Sequence, residues 1–112
     1  MTGDDMEHVM MVMTNAVEGH DDEYNDWYDN QHLSDVLRIP GFVGAKRYEL
    51  SPHQRIKGAP PYRYLAIYEL DTDDLKGAIE ELGKRSGTED MPMSDALAVE
   101  RLTLVFQPRT KK

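Results

Sequence analysis

The chain of 112 residues has no cysteine, an excess of acids over bases and no long apolar segment. Without cysteine there is no disulfide, thiolate nucleophile, iron–sulfur cluster or cysteine-bound zinc. Its 13 Lys and Arg residues face 21 Asp and Glu residues, which gives a formal net charge of −8. Because phosphate groups are bound mainly by Lys and Arg, nucleic acid and anionic membranes are poor candidates for partners. No apolar run approaches the ~20 residues that a membrane span needs.

The length predicts a single domain over residues 1–112, because compact cores usually comprise ~100–150 residues and no room is left for a separate cofactor domain. We expect an ordered core over residues 5–107 and a flexible tail over residues 108–112. Residues Met1–Glu7 contain no Lys or Arg, and the apolar run Val9–Met13 is too short for a signal peptide. The expected location is therefore the cytoplasm, and the expected partner is a small molecule.

Four strands and two helices are predicted from apolar periodicity and from Pro and Gly punctuation. The strands fall at roughly residues 8–15, 42–50, 62–70 and within 96–107, where Val99 is taken as part of the last strand. The first helix covers roughly residues 22–38 and stops at Pro40-Gly41. Thr72 is predicted to cap the second helix, which ends between Gly83 and Gly87.

The order βαββαβ predicts an α+β fold, a ferredoxin-like sandwich with both helices on one face of an antiparallel sheet. The other face of this sheet is left bare and carries Val, Met and aromatic side chains. Such an apolar patch is larger than monomers usually tolerate. We therefore expect a homodimer in which two sheets pack face to face.

The first helix carries polar groups on the face that ought to be purely apolar. At 100° per residue, this face comprises Tyr24, Trp27, Tyr28, Gln31, His32, Asp35, Val36 and Ile39. Burying an imidazole, an amide and a carboxylate costs free energy unless they are paired or hydrated, so the face predicts the lining of a cavity. His32 has Tyr28 four residues before it and Asp35 three residues after it, and both can reach the ring.

These neighbours suggest roles in proton transfer. Asp35 is expected to fix the tautomer of His32, and Tyr28 to share a proton with the ring or a ligand. Tyr24, Trp27 and Gln31 are candidates for substrate binding. A second interpretation remains open, in which the whole set is a hydrogen-bonded cluster that anchors the helix to the sheet.

Two strand residues complete the candidate site. Arg47 offers forked donors for a substrate carboxylate or enolate, and Tyr64 supplies a phenol hydroxyl if its strand face points towards the helices. Surface ion pairs and cross-strand packing are the alternative uses of these side chains. No H-x-H, H-x-x-x-H or H-E-x-x-H spacing occurs, so no metal site is predicted.

The segment Glu23–Phe42 resembles the EthD-like branch of the dimeric α+β barrel superfamily. The resemblance rests on the aromatic pair Trp27-Tyr28, on His32-Leu33 one turn later, and on Pro40-Gly41 opening the second strand. The strands Ala45–Tyr48 and Tyr64–Leu70 also look like this group.

This resemblance implies a ferredoxin-like protomer, a dimer through the sheets and a pocket between the sheet and its helices. Related proteins include cofactor-free polyketide cyclases, muconolactone-type isomerases, quinone-forming monooxygenases and heme-degrading enzymes. The motif histidine corresponds to His32. Heme degraders use an Asn, Trp and His set, and the single Trp27 lies in the helix motif rather than on a later strand, which argues against heme.

The functional hypothesis is a small cofactor-independent enzyme, an isomerase, cyclase or lyase, in which His32 moves a proton on an aromatic, lactone or polyketide-like molecule. Three alternatives remain open, the last of which is a purely structural dimer whose pocket is filled by side chains. The first is a non-catalytic or stress-related dimeric barrel that binds a hydrophobic ligand. The second is a cofactor-free monooxygenase that acts on phenols.

Overall fold

The computed structural model describes residues 6–112, so position 5, at which the predicted core begins, lies outside the described residues. The chain forms β1 (Glu7–Thr14), α1 (Asp21–Trp27), a π-helical turn (Tyr28–His32), α2 (Leu33–Leu37), β2 (Phe42–Glu49), β3 (Tyr64–Asp71), α3 (Leu75–Arg85) and β4 (Leu102–Phe106). Together α1, the π turn and α2 form one continuous helix, called the first helix below. Among the described residues, no helix has the length and apolarity that crossing a membrane requires.

The four strands form one antiparallel sheet in the order β2-β3-β1-β4. Met10 in the centre of β1 is paired with Tyr68 of β3 on one side and with Val105 of β4 on the other. The predicted βαββαβ order and the antiparallel sheet are therefore confirmed.

The hydrophobic core lies between the sheet and its helices. Because side chains alternate along a strand, every second residue of β1 and β3 points inwards. In β3 this gives the buried set Tyr64, Ala66, Tyr68 and Leu70. The core comprises these residues with Met10, Tyr24, Tyr28, Val36, Ile39, Phe42, Ala78, Met91 and Ala96.

The opposite face of the sheet carries apolar side chains that no helix covers. By strand register it includes Met11 and Met13 of β1, flanked by Leu102, Leu104 and Phe106 of β4. The side chains on β4 are 39%, 41% and 47% exposed, respectively. We call this surface the open sheet face.

Two boundary predictions are wrong, and the first helix contains a π turn that was not predicted. The first helix is interrupted by the π turn, in which the N–H of Leu33 bonds to the carbonyl of Tyr28. The second helix is capped by Asp74 rather than Thr72, because the Asp74 carboxylate accepts the N–H of Gly77 at 3.0 Å. Val99 is 94% exposed and precedes β4, because the pairing of β1 with β4 reaches only to Leu102.

The long connection between β2 and β3 is exposed from residue 50 to residue 59. A backbone hydrogen bond from Leu50 to Arg63 closes it at 2.7 Å, and the Asn15 side chain bonds to Pro61 and Arg63. Residues 108–112 follow β4 without regular secondary structure.

Candidate functional site

A cavity of about 280 Å³ lies between the first helix and the inner face of the sheet. This volume is close to the lower end of the ~300–1,000 Å³ range of small-molecule sites. The sheet, both helices and the segment before β4 all contribute walls. The lining consists of Met10, Val12, Thr14, Trp27, Tyr28, His32, Val36, Tyr68, Leu82, Ser86, Gly87, Met93, Leu97, Arg101 and Thr103.

The π turn determines which side chains of the first helix reach this cavity. Because its hydrogen bond spans five residues instead of four, each residue turns by less than the 100° of an α-helix. Tyr28 and His32, at the two ends of the turn, are both buried, whereas the residues between them, Gln31 included, are exposed. The structure therefore places Gln31 outside the cavity, in disagreement with the straight helix assumed from sequence.

His32 is enclosed by aromatic rings and is only 8% exposed. Its ring stacks on Trp27 with centroids 4.6 Å apart and meets the edge of Tyr28 at 5.0 Å. The Nδ1 atom is buried and has no hydrogen-bond partner among the described residues. This leaves Nε2 as the nitrogen that a ligand can reach, and leaves the tautomer unassigned by the protein.

Burial keeps His32 uncharged near neutral pH. Desolvation is the main cause that lowers the pKa of His32 from 6.5 to about 4. The negative charge of Asp35 opposes this change, while the positive charges of Arg101 and Arg47 lower the pKa further. His32 is thus a neutral imidazole that is able to accept a hydrogen bond or a proton.

Two tyrosines extend the polar lining away from His32. The Tyr68 hydroxyl donates a hydrogen bond to the Tyr28 hydroxyl at 3.2 Å, and both side chains are buried. Desolvation raises the pKa of Tyr28 to about 12 and also raises the pKa of Tyr68. Both phenols are therefore neutral at pH 7, and the Tyr28 O–H remains available to donate to a ligand.

Asp35 does not make the contact with His32 that the sequence suggested. Its side chain is buried on the same helix, but Oδ1 accepts a hydrogen bond from Arg38 and Oδ2 has no partner among the described residues. Asp35 is also absent from the cavity lining. Its influence on His32 is electrostatic, since no hydrogen bond joins it to Nδ1.

Arg47 lies between β2 and the first helix, outside the cavity. Its guanidinium donates to Asp29 at 2.7 Å and to Asn25 at 2.9 Å, and it lies 4.4 Å from the centre of the Tyr28 ring. Burial lowers the pKa of Arg47, but the hydrogen bond that Arg47 donates to Asp29 and the nearby charges raise this pKa more. This geometry does not favour the predicted role of Arg47 in substrate binding. Arg47 instead attaches the first helix to the sheet.

Tyr24 and Tyr64 belong to the same anchoring cluster. Tyr24 is fully buried and hydrogen-bonds to Thr14, while the Tyr64 hydroxyl donates to Asp21 at 2.6 Å. Neither residue lines the cavity. Of the eight candidate side chains, the structure therefore brings three together at the cavity: Trp27, Tyr28 and His32. The alternative interpretation, a cluster that anchors the helix to the sheet, applies to Tyr24, Arg47 and Tyr64.

The sequence analysis missed the wall contributed by the segment before β4. Met93, Leu97 and Arg101 line the cavity from this segment, followed by Thr103 on β4 itself. A signal for Arg101 was present, because Arg101, Thr103 and Val105 alternate with the residues of the open sheet face. Among the described residues, no group of three or more His, Cys, Asp or Glu side chains is arranged to hold a metal ion.

Comparison with solved structures gives matches over nearly the whole chain at low sequence identity. An EthD-like protein from Ralstonia eutropha is 14% identical, with a TM-score of 0.57 and 95% of each chain covered. The heme-degrader MhuD from Mycobacterium tuberculosis is 15% identical, with a TM-score of 0.62, and 94% of this chain and 98% of that chain are covered. A proposed monooxygenase from Shewanella loihica is 12% identical, with a TM-score of 0.59 and coverages of 94% and 96%.

No protein-family model matches the sequence, and no curated protein matches it. The similarity to solved structures concerns the fold alone. The matched proteins share this fold, but their names and activities differ from one to the next. The presence of EthD-like proteins among the matches supports the resemblance seen in the first helix. The chain therefore has the ferredoxin-like α+β fold of the dimeric α+β barrel proteins, with EthD-like proteins among its structural relatives.

Proposed function

We propose that this protein is a small cofactor-independent enzyme that catalyses proton transfer on an aromatic, lactone or polyketide-like molecule. The observation that carries the proposal is the neutral, buried imidazole of His32 in the wall of a mixed polar and apolar cavity. Isomerisation, cyclisation and lyase reactions each need a group that accepts a proton and returns it. A positioned side chain of this kind contributes ~10²–10⁴-fold to the rate.

The unpartnered Nδ1 supports a role in which the proton is both taken and given back. In many sites a hydrogen bond to one ring nitrogen fixes the proton position on the other. Here no described residue bonds to Nδ1 of His32, so Nε2 can act as donor or acceptor according to the ligand. The low pKa makes His32 a weak base for the empty site, and an oxyanion formed beside it would raise that pKa.

Tyr28 and Asp35 have different parts in this mechanism. Tyr28 accepts a hydrogen bond from Tyr68 and can donate its own proton to negative charge that develops on a substrate oxygen. Asp35 stabilises the protonated form of His32 through its charge, without the orienting hydrogen bond predicted from sequence. Trp27 supplies the ring on which His32 stacks.

The size of the cavity supports a ligand smaller than a heme. One of the matched structures is a heme degrader, but a volume of about 280 Å³ suits a molecule of one or two rings, and a porphyrin would have to protrude. This size supports chemistry carried by the side chains and the substrate.

Deuterium exchange into 2-tetralone tests the proposal. This bicyclic aromatic ketone has an acidic CH₂ group next to its carbonyl, and NMR in D₂O measures how fast a base removes and replaces its protons. We expect the protein to accelerate exchange and His32→Ala to lower that acceleration by ~10²–10⁴-fold. Tyr28→Phe, which removes one oxyanion donor, is expected to lower it by up to ~10²–10³-fold.

His53→Ala is the matched control, because His53 lies in the exposed connection between β2 and β3, outside the cavity. Exchange that survives intact in His32→Ala would remove His32 from the mechanism. If the protein binds 2-tetralone without exchanging its protons, the result favours a non-catalytic binding protein.

The monooxygenase alternative uses the same cavity. Its support is the shared fold with a proposed monooxygenase and the aromatic lining formed by Trp27, Tyr28 and Tyr68. Oxidation of 1-naphthol by O₂ would yield a naphthoquinone and one water, with all electrons supplied by the naphthol. Oxygen uptake with 1-naphthol, dependent on the protein and lost in His32→Ala, would favour this alternative over a redox-neutral enzyme.

We further propose a homodimer formed through the open sheet face. The β4 side chains Leu102, Leu104 and Phe106 are each about 40–50% exposed and lie beside partly exposed methionines of β1. An apolar surface of this extent on one face of a sheet is typical of an interface between copies. The cytoplasmic location stays a prediction from the sequence.

A further inference from the structure

Arg101 is the charged side chain in the cavity lining that the proposed mechanism has not used. It lies just before β4 and is exposed, so it stands at the rim of the cavity whose inner wall includes His32. Carboxylates pair with Arg38, Arg47 and Arg85 at 4.0 Å or less, whereas Arg101 forms no such ion pair among the described residues. A cation without a protein counter-ion thus faces the space a ligand would occupy.

We propose that Arg101 binds an anionic oxygen of the substrate, and that the cavity therefore selects aromatic monoanions such as carboxylates and ionised phenols or enols. This inference rests on the proposed function for its reaction, but the binding preference can be measured without turnover. A guanidinium offers forked donors that match a carboxylate or enolate oxygen.

The other walls determine the shape of this ligand. The rings of Trp27, Tyr28 and Tyr68 line the cavity together with the buried Met10 and the exposed Met93. Aromatic and thioether groups favour contact with a flat ring system. A planar molecule would therefore place its ring inside, near His32, and its charged oxygen outwards at Arg101.

The same arrangement links binding to proton transfer. The positive charge of Arg101 is one of the causes that lower the pKa of His32. An anion on Arg101 offsets that charge, so it increases the proton affinity of His32. The substrate C–H bond then breaks as an N–H bond forms at Nε2, its electron pair moves to a separate carbonyl oxygen of the substrate beside the Tyr28 hydroxyl, and the proton returns at another carbon.

Calorimetric titration with 2-naphthoate and 2-naphthamide tests the binding preference. The two molecules have the same shape and differ in charge. We expect the protein to bind the carboxylate about two- to fivefold more tightly than the amide, since solvent screens an ion pair with an exposed guanidinium. Quenching of the fluorescence of Trp27 reports whether each ligand enters the cavity, because this is the single tryptophan of the chain.

Variants of Arg101 assign the preference to this residue. In Arg101→Gln we expect the preference for 2-naphthoate to disappear while the affinity for 2-naphthamide is kept, which also shows that the variant is folded. Arg101→Lys retains the charge and is expected to keep part of the preference. Arg109→Gln changes the net charge by the same amount outside the cavity and is expected to behave as the natural protein.

The proposal would be overturned if the natural protein bound 2-naphthoate and 2-naphthamide with equal affinity, or if neither ligand bound. A preference for 2-naphthoate that survives in Arg101→Gln would also overturn it. Titration with 2-naphthol below and above the pH at which its hydroxyl ionises distinguishes phenolates from carboxylates. The result is separable from the proposed function: an anion preference that depends on Arg101 stands even if His32→Ala leaves proton exchange intact.

Discussion

The buried, neutral state of His32 predicts a specific loss of stability on acidification. In the folded protein the pKa of His32 is about 4, whereas the ordinary value is 6.5. Between these two pH values the unfolded chain carries a proton on this ring that the folded chain does not, so the folded state loses stability as pH falls. At ~1.36 kcal/mol per pKa unit, the loss between pH 6.5 and pH 4 is roughly 3 kcal/mol.

Urea denaturation of the natural protein and of His32→Gln, measured from pH 7 to pH 4, tests this magnitude. Glutamine has no titrating ring, so the difference between the two free energies of unfolding isolates the contribution of His32. We expect the stability advantage of the natural protein over His32→Gln to shrink by roughly 3 kcal/mol over this range. The charged and titratable groups around the ring, which include Asp35, Arg47 and Arg101, are present in both proteins.

His53→Gln serves as the control, since its side chain is exposed and its removal should leave the pH dependence unchanged. NMR titration of the His32 ring protons gives an independent value, with a midpoint expected near pH 4 in the folded protein. A midpoint near 6.5, or the same acid sensitivity in His32→Gln as in the natural protein, would refute the reasoning. His32 would then be hydrated, and the cavity would lack the neutral imidazole on which the proposed function depends.

Three further predictions concern stability and assembly. Arg47→Met removes charged hydrogen bonds to Asp29 and Asn25 and is expected to lower the free energy of unfolding, measured by urea denaturation, by about 2–4 kcal/mol. A decrease under ~0.5 kcal/mol would contradict the anchoring role of Arg47. Met91→Ala leaves a cavity at a fully buried site and is expected to lower the free energy of unfolding by about 2–5 kcal/mol in the same assay. An unchanged midpoint of denaturation would show that the core around Met91 is loosely packed. Leu104→Glu places a charge on the open sheet face and is expected to convert a dimer into a monomer in light-scattering measurements; a dimer of unchanged affinity would place the interface elsewhere.

The elements of the fold were largely predictable because their signals are local. A short apolar run such as Val9–Met13, bounded by polar residues, is compatible with few structures other than a buried strand, and Pro40-Gly41 fixes the end of the first helix. The cap of α3 was misplaced because Thr72 and Asp74 both have the side-chain chemistry of a cap. Only the backbone geometry selects Asp74, whose carboxylate reaches the N–H of Gly77.

The candidate site was predictable in part. Trp27, Tyr28 and His32 follow one another on a single helix, so helical spacing was enough to group them. Arg47 and Tyr64 were misassigned because a lone strand residue does not reveal whether its face meets a cavity or a packed helix. In the structure both meet the N-terminal half of the first helix, where Asp29 and Asp21 take up their hydrogen bonds.

By itself the sequence determined the βαββαβ order, the absence of cysteine chemistry, the negative charge and the aromatic helix face around His32, because each follows from residue type and nearest spacing. Only the tertiary structure decided that a π turn directs Gln31 outwards, that Asp35 pairs with Arg38, and that Arg101 belongs to the lining of the cavity. The first two outcomes are local to the first helix and depend on which of several competing partners each polar group takes, whereas the third depends on strand pairing. Arg101 lies almost seventy residues from His32, and only the pairing of β4 with β1 brings it to the same cavity.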